Sequence, residues 1–387
     1  MLAGLHAGTA RAQIDSVIPR WHWKRITSPV TSGQWGVGVI AGMQYARAAR
    51  AGPSAVSAAF KLTGTYGITT GSTELTLLYE APRRGRDWRV LGLARSERMQ
   101  RTPFFGLQNE MPRVDSLQHV YGNMYYRYSL LRTGVIAVVE RRIAGPLWLH
   151  VGGQLRHYRA SPLKQRPSLF EAATAGPQAD TVRRDGVELR AGLVFDTRDD
   201  WYATTRGLLL EALAAPGRLR APAGETGLSY RRYLFGAAEF VRLTASGRTV
   251  LALRQRASIA RDSLPFFLAY EQPTSWMPMD GTVGAHTVRL HGGGTQLSTN
   301  HAMATIEVRR KLMVPSDNPD RAGGLWAQFF FDGAMLWEPG TRASLDRTEW
   351  TIGAGLRLQT SQDDILGFDV GVTDAGFHVS VLKNFGF

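Results

Sequence analysis

From Trp35 to the C-terminus, apolar and polar side chains alternate in segments of about ten residues, divided by turns rich in Gly, Pro, Asp and Arg. Successive side chains of a strand point to opposite faces, so each segment predicts a strand with one apolar and one polar face. Val187, Leu189, Ala191, Leu193 and Phe195 fall on one face, with Glu188, Arg190 and Gly192 on the other. Ala304, Ile306 and Val308 likewise oppose Thr305, Glu307 and Arg309, and Trp350, Ile352, Ala354, Leu356 and Leu358 oppose Thr351, Gly353, Gly355, Arg357 and Gln359. The segments run 35–45, 55–67, 72–80, 87–97, 118–130, 133–142, 147–158, 186–196, 206–216, 228–243, 248–261, 301–313, 324–337, 349–360, 364–373 and 376–387. The one at 228–243 is less regular, because Arg231 and Arg232 are adjacent.

Alternation alone also suits a soluble sandwich, but here charge keeps to one parity in the clearest strands. A charge on a lipid face costs about 2–4 kcal/mol at mid-bilayer, so this sorting favours a membrane barrel with a polar lumen. No run of about 18 apolar residues occurs, which leaves strands as the only spanning elements. The pattern predicts an all-β fold, a 16-stranded antiparallel transmembrane β-barrel over 35–387. With a periplasmic N-terminus, the long connections 159–185 and 262–300 fall on the external side, whereas 98–117 falls on the periplasmic side as a long exception.

Composition adjusts this picture little. Forty-two glycines and 10% aromatic residues suit many short strands. The net charge of +14 is spread along the chain without a dense basic block, which argues against nucleic acid. Cysteine is absent, and with it disulfide and thiolate chemistry. Residues 1–34 read as a leader and a short periplasmic segment: Ala10-Arg11-Ala12 before Gln13 fits a signal-peptidase site without a basic n-region, so a clipped signal peptide and an unstructured leader both fit.

Enzyme motifs are missing: there is no Gly-x-Ser-x-Gly elbow, no phosphate-binding Gly-x-x-x-x-Gly-Lys-Ser/Thr and no His-Glu-x-x-His. His286, His291 and His301 share the long loop without a cysteine or a close acidic pair and read as loop histidines rather than metal ligands. His150 and His157 have opposite parity and cannot share a face. Pairing Ser298 with a histidine as a hydrolase is a remote reading. No metal or cofactor is implied. Gly36, Gly38 and Gly42 lie in the first predicted strand, where glycine weakens pairing, with Gly367, Gly371, Gly376 and Gly386 in the last two. Phe377, Val379, Val381, Phe385 and Phe387 share one face of the closing strand, with Lys383 placed near its end.

Three stretches resemble the bacterial surface-antigen family, which comprises the barrels of BamA- and TamA-like assembly factors and of two-partner secretion translocators. Phe104-Phe105-Gly106-Leu107-Gln108-Asn109 is similar to the family's Phe-Phe-Gly-Ile/Leu-Gly-Asn, with Gln108 in place of a glycine. Asp196-Thr197-Arg198-Asp199-Asp200 and Arg206-Gly207 resemble its Asp-Thr-Arg-Asp turn. Val288-Arg289-Leu290-His291 resembles the Val-Arg-Gly-Phe/Tyr at the tip of a loop that folds into the lumen between strands eleven and twelve, with Leu290 where glycine stands.

The resemblance implies a tether from Arg289 to an anionic side chain of the lumen. Asp332, in Phe330-Phe331-Asp332, and Glu307 with Arg309 match the family's Phe-x-Asp and Glu-x-Arg on the two following strands. The closing strand resembles the signal by which outer-membrane barrels are assembled. The implied activity is insertion of outer-membrane proteins, or polypeptide translocation, through a seam between the first and last strands or through the lumen; the alternative is a passive, loop-plugged pore or structural barrel. Implied partners are outer-membrane lipid or lipopolysaccharide and unfolded polypeptide clients. Residues 1–34 are too few for the family's periplasmic domains, so a POTRA-less chain would rely on a separate periplasmic partner or a longer reading frame.

Overall fold

The computed structural model describes residues 21–32, 36–48, 56–81, 87–104, 119–122, 124–163, 167–174, 182–200, 204–222, 226–262, 264–269, 271–272, 274–276, 279–280, 298–313, 324–345, 348–361, 364–373 and 376–383. Sixteen strands form one antiparallel sheet in chain order. The first eight are β1 (Trp21–Ser32), β2 (Gly36–Ala48), β3 (Val56–Gly67), β4 (Thr73–Ala81), β5 (Trp88–Pro103), β6 (Arg127–Ala144), β7 (Leu147–Ser161) and β8 (Val182–Asp196). The sheet continues through β9 (Gly207–Arg220), β10 (Leu228–Arg242), β11 (Thr249–Ala260), β14 (Asn300–Met313), β15 (Gly324–Trp337), β16 (Thr348–Ser361), β17 (Asp364–Thr373) and β18 (Gly376–Lys383). Between β11 and β14, the two-residue strands β12 (Glu271–Gln272) and β13 (Met279–Asp280) pair only with each other. β1 and β18 meet, and the sheet curls into a nearly closed barrel.

The strand number agrees with the sequence reading, but two errors cancel inside it. Trp21–Ser32 is a full strand in register with β2, not a periplasmic segment. Its periodicity is masked because Arg25 sits on the outward face and Ile26 on the inward one, with Pro29 interrupting the run. Conversely, 118–130 and 133–142 are not two strands: Arg127–Ala144 runs unbroken through Arg132-Thr133-Gly134. That tripeptide looks like a turn, yet Arg132 points inward to a carboxylate and Thr133 points outward. With both corrections the connection after β5 changes side and joins the two other long connections on one rim, which removes the exception.

Burial is inverted relative to a soluble protein. On β8, Leu189 is 62% exposed while its neighbours Glu188 and Arg190 are each 1% exposed. Phe329 and Phe331 face outward on β15 while Gln328 and Asp332 are buried. Outward apolar and inward charged positions are the arrangement a bilayer selects, because lipid accepts the first and rejects the second.

The core of ordinary type lies at the long-loop rim. Phe104 after β5, the helix Leu169–Thr174 after β7 and the helical turn Phe266–Ala269 after β11 pack onto the inward Tyr128, Tyr158 and Tyr230. The helix is capped by the Ser168 hydroxyl, which accepts the Glu171 amide at 3.2 Å. Phe266 sits edge-on to Phe104 and Tyr128 at 5.0 Å, and Phe170 stacks on Tyr128 at 5.3 Å. At about 1.5–3 kcal/mol for each buried aromatic side chain, this cluster fixes the described parts of the three connections to the wall with apolar contact.

Candidate functional site

The described start of the connection between β11 and β14 enters the lumen of the barrel. Pro265 starts the helical turn Phe266–Ala269, which anchors in the aromatic cap and delivers Glu271 to the inward faces of β6, β7 and β10. One carboxylate oxygen of Glu271 accepts from Arg132 Nη1 and Arg156 Nη1, both at 2.9 Å, and from the Tyr158 hydroxyl at 3.0 Å. Arg232 Nη1 donates to the Glu271 backbone carbonyl at 3.1 Å. Burial alone raises the pKa of the Glu271 carboxyl, but Arg156, Arg132 and Arg232 outweigh it and bring it down to about 2. The loop is therefore strapped to the wall by a charge that stays ionised at neutral pH.

The wall continues this network. Arg132 also pairs with Glu97 of β5, and Arg232 pairs with Glu188 of β8. Glu188 accepts in addition from the Tyr230 hydroxyl and from Arg190 Nε, each at 3.0 Å. Arg190 reaches Gln154 Oε1 at 2.8 Å and the Thr274 carbonyl at 3.4 Å, and Ser275 donates to Glu211. Trp276 then packs on the inward apolar patch of Leu78, Leu91, Leu93, Ile136 and Val138. From Leu264 to Trp276 the described part of the loop thus contacts inward side chains from β4 to β10.

At the opposite rim, the turn between β8 and β9 is built by its own charges. Asp196 pairs with Arg198 at 2.9 Å and with Arg89 of β5 at 2.8 Å, and Arg89 lies 3.9 Å over the Trp148 ring. Asp199 accepts from the Thr205 amide at 2.8 Å, the Arg206 amide at 3.1 Å and Arg242 Nη2 at 2.9 Å. Burial raises the pKa of this carboxyl, and the hydrogen bonds from Thr205, Arg206 and Arg242 leave it below the ordinary range. Gly207 has φ +113°, and a Cβ there would lie 2.5 Å from the Thr197 carbonyl oxygen, so the turn needs glycine.

Val288, Arg289, Leu290 and His291 lie outside the described residues, as do Phe385 and Phe387. Asp332, Glu307 and Arg309 are buried in the lumen, with Arg309 paired to Glu307 two residues away. Asp332 stands between Thr305 and Thr351 of the flanking strands. Phe377 and Val379 face outward, and Val381 is half-buried. Gly36, Gly38 and Gly42 are in β2, laddered to β1 and β3, so they are one strand away from the seam where the sequence reading put them. Ser298 donates to Glu338 at 2.8 Å, which commits it to the loop joining β15 to β16.

Sequence reasoning missed Glu271. The available signal was an acid directly after the apolar run Leu264 to Tyr270, facing strands with more arginines than carboxylates. Arg289, the residue from which a tether was expected, belongs to the same loop as Glu271, and the described contacts fall at the start of that loop.

The molecule is a barrel of sixteen antiparallel strands with a charged lumen and a strapped loop. No family model and no curated protein matches the sequence. Among solved structures, it is similar to CdiB from Escherichia coli (TM-score 0.59, 12% identity, 94% of this chain and 62% of that one). It is also similar to BamA from Haemophilus ducreyi lacking POTRA domains 1-3 (TM-score 0.54, 14% identity, 94% of this chain and 70% of that one). A third likeness is to CdiB from Acinetobacter baumannii (TM-score 0.50, 11% identity, 94% and 65%). The chain therefore spans less than two thirds of either CdiB chain. At these identities the likeness is one of fold: this chain has the BamA- and CdiB-type barrel.

Proposed function

We propose that this protein is a bacterial outer-membrane barrel that inserts or translocates polypeptide clients at the seam between β1 and β18, with its lumen closed by the strapped loop. The observation that carries this reading is the sheet itself. Every consecutive pair of barrel strands from β1 to β18 is laddered, whereas no backbone ladder joins β1 to β18 among the described residues. A seam joined more weakly than the other strand pairs favours the addition of an incoming strand, whose backbone groups complete the ladder inside the bilayer. Pro29 in β1 fits an edge strand, since proline cannot complete a central ladder. The long-loop rim faces outward from the cell and the β8–β9 turn faces the periplasm, where a partner chain can deliver clients.

The seam is testable because the chain has no cysteine of its own. A disulfide introduced between a position in Thr27–Val30 and one in His378–Val381 is expected to abolish client insertion or export, and reduction to restore it. Full activity in the locked barrel would remove the seam from the mechanism. The strap supports a second reading, a passive plugged barrel, which predicts no client activity in either redox state.

A further inference from the structure

The outward face of β7 to β10 carries arginines at the long-loop rim that the lumen and the seam do not use. Arg159, Arg183, Arg218, Arg220 and Arg231 are all exposed on the lipid-facing parity. Four residues deeper on the same faces lie the exposed apolar side chains Leu155 below Arg159, Val187 below Arg183, Ala214 below Arg218 and Phe235 below Arg231. Four residues of strand span about 13 Å, or about 10 Å of depth at a typical barrel tilt. The guanidiniums thus sit at headgroup level when the apolar residues are among acyl chains.

Arg159 and Arg183 are also direct register partners on adjacent strands. Like charges placed opposite each other repel, and none of the five arginines forms an ion pair among the described residues. The acid nearest in register is Asp185, which faces Arg220 across the ladder and is held by His157 Nδ1 at 2.8 Å. The adjacent arginines of β10, irregular in sequence, divide here: Arg232 serves the lumen and Arg231 this band.

We propose that this band binds the phosphate groups of a phosphorylated glycolipid in the outer leaflet and so anchors the capped side of the barrel at a fixed depth. Guanidinium groups suit this task because their planar donor pairs match phosphate oxygens bidentately. The inference rests on the outer-membrane placement proposed above.

The test uses the full chain folded into phosphatidylcholine vesicles containing lipid A with two phosphates, lipid A with one phosphate, or phosphatidylglycerol at matched charge. Glycolipid retained by the protein after detergent extraction is measured by native mass spectrometry. Preference for the two-phosphate form over phosphatidylglycerol is expected, with affinity falling about fivefold in Arg183→Gln and far more in the triple variant Arg159→Gln, Arg183→Gln, Arg218→Gln. Arg141→Gln, at the opposite rim against Trp88, should bind like the parent. Equal retention by the parent and by Arg183→Gln, or no preference over phosphatidylglycerol, overturns the band while leaving the membrane placement intact. A parent chain that fails to enter any vesicle overturns the placement and the band together.

Discussion

The middle strands and the terminal strands of this barrel are held by different means. β5 to β11 are mostly long and are crossed inside by contacts between strands that share no ladder: Arg89 of β5 reaches Asp196 of β8, Arg232 of β10 reaches Glu188 of β8, and Glu271 of the loop gathers β6, β7 and β10 at once. Nearer the ends the described ion pairs join neighbours, such as Lys61 of β3 with Glu80 of β4, and Arg357 of β16 with Asp369 of β17, while Gln328 of β15 donates to Asp369 at 3.2 Å across β16. Cross-lumen contacts resist separation of strands that share no ladder, whereas neighbour contacts only reinforce ladders already present. Among the described contacts, then, the brace supplied by the loop falls on the middle of the barrel.

Breaking the brace should have the largest effect. Glu271→Ala leaves Arg132 and Arg156 without the carboxylate they share, a loss of about 5 kcal/mol from loop docking, the upper range for breaking a buried ion pair. The expected outcome is a marked rise in single-channel conductance in planar bilayers, matched by deletion of 262–300; conductance equal to the parent's would show that the strap does not close the lumen. Asp332→Ala tests whether a second contact closes the lumen further along the same loop: a rise in conductance is expected, and additivity with Glu271→Ala would mark two independent anchors.

A break confined to the terminal strands should separate the two regions. Asp369→Ala removes the carboxylate that Arg357 engages at 2.7 and 2.9 Å, at a cost of about 3 kcal/mol. Faster hydrogen exchange in β16 to β18 with unchanged conductance is expected, and a rise in conductance equal to that of Glu271→Ala would show that the lumen is closed from the terminal strands as well. Gly207→Ala, which forces a Cβ against the Thr197 carbonyl, should cost about 1–3 kcal/mol and lower the urea midpoint of unfolding without altering conductance.

Acid should act on the brace last and least. The Glu271 carboxyl is depressed from an ordinary 4.5 to about 2, so its contribution is complete above pH 4.5 and is lost as the pH falls through about 2. Conductance should therefore stay flat from pH 8 to about pH 5 and rise only below about pH 3; opening near pH 6 would mean that another group holds the loop.

The alternating pattern by itself determined the class of fold, the parity that sends Glu188 and Arg190 inward and Leu189 outward, and the long loop between the eleventh and twelfth barrel strands. It did so because a bilayer applies one rule at every outward position, and a local period of two records it. Which segments were strands at the ends was less legible. β1 hid behind Pro29 and the outward Arg25, and β6 was split at Arg132, since an arginine beside Thr133 and Gly134 looks the same in a turn as in a lumen. Only the tertiary structure decided that Glu271 of the loop meets Arg132, Arg156 and Tyr158, and that Phe104, Phe170 and Phe266 form one cap. Those contacts join residues more than sixty positions apart through the curvature of a nearly closed sheet, and no periodicity along the chain encodes which inward faces will confront each other.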